Sequence, residues 1–258
     1  MKVVILCGGL GTRLKEETEY KPKPMVEIGG KPLIWHIMKN YSCYGFNNFV
    51  LCLGYKGSMI KDYFINYDAR NNDFSLKLKN QEITIHNQHT EVDWEITFAE
   101  TGSNTMTGGR IKKIEKYVDE DVFMLTYGDG VSNVNLLDLL TFHKSHGKIG
   151  TITGVMQPSR FGELITENHL VKNFNEKPKI HSGGLINGGY FVFNKNFFKY
   201  LSDADDCIFE KHPLENLVND GELCVFEHRG FWQCMDTYRE FEYLNNLWKE
   251  NKASWKIW

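Results

Sequence analysis

Val3-Val4-Ile5-Leu6-Cys7 runs straight into Gly8-Gly9-Leu10-Gly11-Thr12-Arg13-Leu14, and Lys21-Pro22-Lys23-Pro24-Met25 follows shortly after. The five apolar residues read as a buried first strand, since a strand covered on both faces shows a continuous apolar run rather than alternation. The glycines then fall on a loop at that strand's C-terminal end, where open α/β sheets bind phosphates. Without Cβ atoms the main chain comes close enough to a triphosphate for its N–H groups to wrap the anion. Arg13 adds a planar cationic fork and Lys23 a movable point charge, which offset a polyanion and the charge that develops during transfer.

Two other phosphate motifs are excluded. A P-loop needs Gly-Lys-Ser/Thr where this chain carries Arg13 and Leu14. A dinucleotide fingerprint needs a third glycine to open a helix, and Leu14-Lys15-Glu16-Glu17 has none.

Outward from the loop, Leu33, Ile34, Ile37, Met38 and Tyr41 repeat at helical spacing after Pro32 and stop near Gly45. Residues 49–53 read as a second buried strand and 58–64 as a short helix. This order predicts an α/β fold: a Rossmann-like mixed, mainly parallel sheet flanked by helices. Residues 66–95 change texture, with alternation such as Glu82-Ile83-Thr84-Ile85-His86, and read as a smaller, β-rich insertion suited to an oligomer contact. Residues 101–109 form a loop before a helix starting at Arg110, and a strand over 122–126 ends at Gly128-Asp129-Gly130. Further helices are predicted at 135–146, 195–201, 213–220 and 238–250, and strands at 149–155, 162–165, 171–175 and 189–193. With no repeat, low-complexity tract or linker, residues 1–258 read as one domain whose sugar-binding half is 160–237.

The chain has 258 residues, 41% of them hydrophobic, enough to bury a full core. A net charge of −3 without a long basic run argues against nucleic acid or an anionic membrane as partner. Neither a secretory signal nor a run long enough to span a bilayer is visible. The six cysteines show no C-x-x-C spacing and read as buried thiols, so a cytoplasmic location is expected.

The loop and Lys-Pro-Lys-Pro-Met resemble the signature of sugar-1-phosphate nucleotidylyltransferases. Thr126-Tyr127-Gly128-Asp129-Gly130, Asn175-Glu176-Lys177-Pro178, Asn187-Gly188-Gly189-Tyr190-Phe191 and Gly230-Phe231-Trp232-Gln233-Cys234-Met235-Asp236-Thr237 extend the likeness nearly end to end. Glu16 departs from it, because the signature commonly has a proline there. The resemblance implies CTP and glucose 1-phosphate as substrates and Mg²⁺ as cofactor. It also implies a homo-oligomer, a hexamer being one form, and a product feeding deoxysugars of surface polysaccharides such as O-antigen. Another base (dTTP or UTP) or another hexose 1-phosphate stays open at this point.

Asp129, between two glycines beyond a strand end, is placed to meet a metal bridging triphosphate oxygens, although an aspartate there is also a common turn cap. The resemblance makes Asp236 the second carboxylate on that Mg²⁺ and Arg13 and Lys23 the catalytic cations. It assigns the nucleotide to Leu6, Cys7, Gly8, Gly9, Leu10, Gly11, Thr12, Arg13, Lys23, Thr105, Arg110 and Gly128. Arg110 is the candidate for the O2 and N3 acceptor edge of cytosine, or else a solvated residue of a helix's first turn. The hexose falls to Glu176, Lys177, Asn187 and Gly188, with Tyr127 and Trp232 as apolar wall. The histidines stay outside the site: His86, His89, His143 and His146 read as surface or packing residues. A phosphate monoester is already mostly ionised near neutral pH, with a second pKa of about 6, so no general base is required.

Overall fold

The computed structural model describes residues 1–11, 14–87, 91, 93–156, 163–167, 170–175 and 184–258. Strand β1 (Lys2–Leu6) lies inside the central sheet, and its side chains alternate between two cores. Val3 and Ile5 enter one and Val4 and Leu6 the other, all four at most 9% exposed, which accounts for the unbroken apolar run.

Beyond the glycine loop come a single turn of helix, α1 (Lys15–Thr18), and a 3₁₀ turn over Lys23–Met25. Two-residue strands β2 (Glu27–Ile28) and β3 (Lys31–Pro32) then lead into helix α2 (Leu33–Cys43). Strand β4 (Asn48–Leu53) precedes α3 (Gly57–Ile65), α4 (Tyr67–Asn71), an antiparallel hairpin of β5 (Phe74–Lys77) and β6 (Glu82–Ile85), and β7 (Glu95–Glu100). Helix α5 (Thr107–Lys113), strands β8 (Val122–Tyr127) and β9 (Gly130–Ser132), helix α6 (Leu136–His146) and strand β10 (Gly150–Val155) follow. The last part holds β11 (Glu163–Glu167), β12 (Leu170–Asn175), β13 (Ile186–Asn194), a 3₁₀ segment (Lys195–Tyr200), α7 (His212–Asn219), β14 (Leu223–His228), β15 (Trp232–Cys234) and α8 (Tyr238–Lys249).

Seven strands form the central sheet in the order β14-β10-β13-β8-β1-β4-β7, and all but β13 run the same way. The chain leaves β1 toward β4 and β7 on one side, then returns to β8 on the other. That reversal opens a crevice at the carboxyl ends of β1 and its neighbours, the usual ligand position in such sheets. Helices α2, α3, α6 and α8 cover the face carrying Val3 and Ile5, and α5 and α7 cover the face carrying Val4 and Leu6. The mixed, mainly parallel sheet is thus the one expected.

Several local expectations shift. Helix α5 starts three residues before Arg110, because Gly108 and Gly109 belong to the helix rather than to the loop. Their N–H groups both donate to Cys207 O, and a Cβ at Gly109 would sit 2.7 Å from Ala204 O, so the glycines permit a close backbone approach. The insertion ends in β7, a sheet edge strand that its half-exposed sequence Glu95-Ile96-Thr97-Phe98-Ala99-Glu100 hid. Strands β14 and β15 also escape the sequence reading, β14 being half-buried and β15 only three residues long. The segment after β13 is 3₁₀ rather than α-helical. His143 is a packing residue, buried against Thr151 and Asn194, and His86 is exposed, whereas His89 lies outside the described residues.

Candidate active site

At the carboxyl ends of β1 and β8 a cavity of about 610 Å³ is lined by Leu6, Cys7, Gly8, Gly9, Leu10 and Gly11, by Lys23, and by Tyr127, Gly128 and Asp129. The loop is fastened at its root. Cys7 N donates to Cys52 O (3.1 Å), Gly128 N to Leu6 O (3.0 Å) and Tyr55 N to Gly8 O (3.3 Å). Gly8 is a glycine for a reason the sequence did not disclose: a Cβ there would collide with the Arg110 guanidinium. Gly9, with no atom near its Cβ direction, keeps the open main chain that phosphate approach requires.

A two-stranded ribbon builds the acidic side. Strand β9 pairs antiparallel with β15 in a register that sets Gly130 opposite Cys234. One step beyond, Met235 N donates to Asp129 O (2.8 Å), which brings Asp129 and Asp236 together from distant parts of the chain. Asp236 is held by the start of α8, where Glu240 accepts the Asp236 and Thr237 N–H groups (2.7 and 2.9 Å) while Thr237 caps Glu240 N. Lys23 Nζ reaches both carboxylates, at 2.8 Å from Asp129 Oδ2 and 2.5 Å from Asp236 Oδ1, with only 11% of its side chain exposed. Burial by itself lowers the pKa of this ammonium, but the two carboxylates outweigh it and hold the pKa above its ordinary value.

Arg110 and Thr105 also line the cavity. The Arg110 side chain is buried, and its Nη atoms donate to Leu53 O (3.0 Å), Thr101 Oγ1 (2.7 Å), Gly102 O (2.7 Å), Gly8 O (3.1 Å) and, at the longest distance, Ser103 O (3.4 Å). It therefore ties the glycine loop to β4 and to the segment before α5, and is not the solvated helix residue of the alternative reading. Burial lowers its pKa, from an ordinary value high enough that it stays charged. Thr105 Oγ1 donates to Asp205 Oδ1 (2.7 Å), and Lys113 Nζ donates to both (3.0 and 2.6 Å).

Asn187, Gly188 and Trp232 do not line the cavity itself; Asn187 Nδ2 donates to the hydroxyl of Tyr127, which does (3.2 Å), and Trp232 Nε1 donates to Gly188 O (2.6 Å). Three of the residues expected at the hexose thus connect to Tyr127 or to one another. Thr12, Arg13, Glu176 and Lys177 lie outside the described residues. Sequence reading missed Glu210 and Thr107, which also line the cavity. Nothing around Phe209-Glu210-Lys211 signals this, since the fold alone brings that segment to the site.

A family model described as nucleotidyl transferase matches residues 2–241. The chain belongs to the nucleotidyl transferase family. Among relatives in it, the glucose-1-phosphate cytidylyltransferase of Salmonella typhi is 49% identical, covering 100% of both chains. The mannose-1-phosphate guanylyltransferase catalytic subunit beta of Dictyostelium discoideum is 31% identical over 96% of this chain and 66% of its own. The crystal structure of HddC from Yersinia pseudotuberculosis superposes with a TM-score of 0.68 at 26% identity, covering 96% of this chain and 99% of that one.

Nucleotidyl transferases generally use a divalent metal. The donor chemistry here fits one. Two acceptor-only carboxylates already converge on a single cationic atom, the Lys23 ammonium. Among the described residues no group of three or more His, Cys, Asp or Glu side chains gathers as a metal cage. Two hard oxygen donors completed by phosphates and water are the pattern Mg²⁺ prefers over an all-protein cage.

Proposed function

We propose that this chain transfers a cytidylyl group from CTP to glucose 1-phosphate, giving CDP-glucose and pyrophosphate. The observation that carries this reading is the 49% identity, over the full length of both chains, to the Salmonella typhi glucose-1-phosphate cytidylyltransferase. The cavity supports it: an open glycine main chain, a nearly buried lysine and two converging carboxylates are what a metal-bound triphosphate needs.

In this reading an ionised oxygen of glucose 1-phosphate attacks the α-phosphorus of CTP. A new P–O bond forms, the α–β bridge breaks, and pyrophosphate leaves with its electron pair. Catalysis then consists of holding two anions in line and neutralising charge. Lys23 and Arg13 supply positive charge, and Leu6, Cys7, Gly8, Gly9, Leu10, Gly11, Thr12 and Gly128 hold the nucleotide. Asp129 and Asp236 would hold Mg²⁺, which when bound supplies Lewis-acid charge to the phosphate oxygens. Glu176, Lys177, Asn187, Gly188, Tyr127 and Trp232 meet the hexose phosphate, within the 160–237 half of a single domain and the end of β8. The exposed apolar residues Phe74, Leu76 and Ile83 of the β5–β6 hairpin support a subunit contact in a homo-oligomer, a hexamer being the form the resemblance implies. Six unpaired cysteines suit a reducing cytoplasm, and no described helix is long and apolar enough to cross a membrane. We read CDP-glucose as feeding deoxysugars of surface polysaccharide such as O-antigen.

The test is pyrophosphate release from CTP, UTP, dTTP and GTP in turn, with glucose 1-phosphate and Mg²⁺. CTP is expected to react at least about 100-fold faster, because a site that hydrogen-bonds one base edge leaves its donors unpaired with another. A faster reaction with any other nucleotide overturns the assignment.

Base choice is placed on Thr105, Arg110 and the main chain of Leu6 to Gly9. The contact from Arg110 to Ser103 O, at 3.4 Å, is the weakest the guanidinium makes and the one a cytosine acceptor would replace. Arg110→Ala is expected to raise the KM for CTP by about 10²-fold and that for glucose 1-phosphate by less than about threefold. Equal increases in the two KM values would remove Arg110 from base recognition.

A further inference from the structure

Glu210 stands on the cavity wall, yet no motif and no step above uses it. It follows Phe209, whose fully buried ring anchors the segment in the second core. Its carboxylate takes two hydroxyls, Thr107 Oγ1 donating to Oε2 at 2.6 Å and Tyr127 Oη donating to Oε1 at 2.7 Å.

The direction of each bond is forced. A carboxylate is acceptor-only, so both hydroxyl protons point at Glu210. The Thr107 oxygen then accepts Phe209 N–H (3.0 Å), and the Tyr127 oxygen accepts Asn187 Nδ2 (3.2 Å). With its amide nitrogen turned to Tyr127, Asn187 turns its oxygen to Gly189 N–H (2.8 Å). The Gly189 N–H, which can only donate, and the Glu210 carboxylate, which can only accept, thereby agree on one arrangement, in which the Tyr127 oxygen is free to receive Asn187 Nδ2.

We infer that Glu210 is a positioning residue for the acceptor hexose phosphate: it holds the Tyr127 proton, so that the phenol oxygen stays an acceptor that anchors Asn187 Nδ2. This rests on the proposal that Tyr127 and Asn187 meet the sugar. A glutamine at 210 keeps the shape, but turns one N–H₂ toward Tyr127 or Thr107. At Tyr127 it competes with Asn187 for the phenol oxygen, and Asn187 Nδ2 loses that acceptor while its oxygen stays on Gly189 N–H.

Steady-state kinetics of the full chain test this. Glu210→Gln is expected to raise the KM for glucose 1-phosphate about tenfold, the size of one hydrogen bond, while the KM for CTP moves less than about twofold. In a Tyr127→Phe background, where the connection is already cut, the same substitution is expected to add less than about twofold. A general loss of structure would instead shift both KM values and appear in either background. The inference is overturned by an unchanged KM for glucose 1-phosphate, or by an effect as large in the Tyr127→Phe background as in the wild-type one. Wild-type protein that fails to join CTP and glucose 1-phosphate would remove the functional reading itself. Wild-type turnover with an inert Glu210→Gln removes only the role of Glu210.

Discussion

Lys23→Ala is expected to lower kcat by about 10²–10³-fold while raising the KM for either substrate by less than about tenfold. The ammonium is nearly buried and already in contact with two carboxylates, which leaves one of its three N–H groups for a phosphate. Its attraction is greatest where negative charge concentrates, on the α-phosphate and the departing pyrophosphate, and not on the bound ground state. A loss confined to KM would make Lys23 a binding residue. A second readout needs no turnover. Removing the ammonium takes away the cation that Asp129 and Asp236 share, and two like charges brought together repel. Nucleotide-free Lys23→Ala should therefore bind Mg²⁺ more tightly than wild type in a calorimetric titration. Equal affinity would show that the lysine does not compete for the carboxylates.

Asp129→Asn is expected to lower kcat by at least about 10²-fold at fixed Mg²⁺ and to move half-saturation to higher magnesium. An amide keeps the size of the side chain and one acceptor oxygen, but it loses the charge that holds a divalent cation. Lys23 would then keep Asp236 as its ion-pair partner of the two, and the ribbon register through Asp129 O would survive, because that bond uses the main chain. The variant should fold as wild type does and fail chiefly in metal dependence. A magnesium titration superimposable on that of wild type would take Asp129 out of the metal site.

The first strand, its loop and the lysine beyond it were legible because they lie within one short stretch, where the apolar run and the glycines state their own positions. The same holds for α2, whose apolar spacing marks the buried face, and for α6, where Asn135 caps the helix through its side chain. Edge strands resist such reading. Strand β7 carries exposed glutamates at both ends and β14 is half-buried, so neither shows the apolar signal of a central strand. The placement of Arg110 was legible only as a candidate, since what fixes it is the set of carbonyls at Gly8, Leu53 and Gly102, which no local pattern joins. Glu210 lay beyond reach for the same reason: its partners stand 83 and 103 residues away in the chain.

The ribbon between residues 130–132 and 232–234 also sets the order in which the site is assembled along the chain. Its closure joins Asp129 to Asp236, and Lys23 meets Asp236 across 213 residues of chain. A growing polypeptide that has folded the first four sheet strands already owns the glycine turn and one acid. Without the C-terminal helix to seat the other, Lys23 has only one of its two carboxylate partners. The second acid therefore joins Lys23 and Asp129 only in a polypeptide that extends to the C-terminal helix.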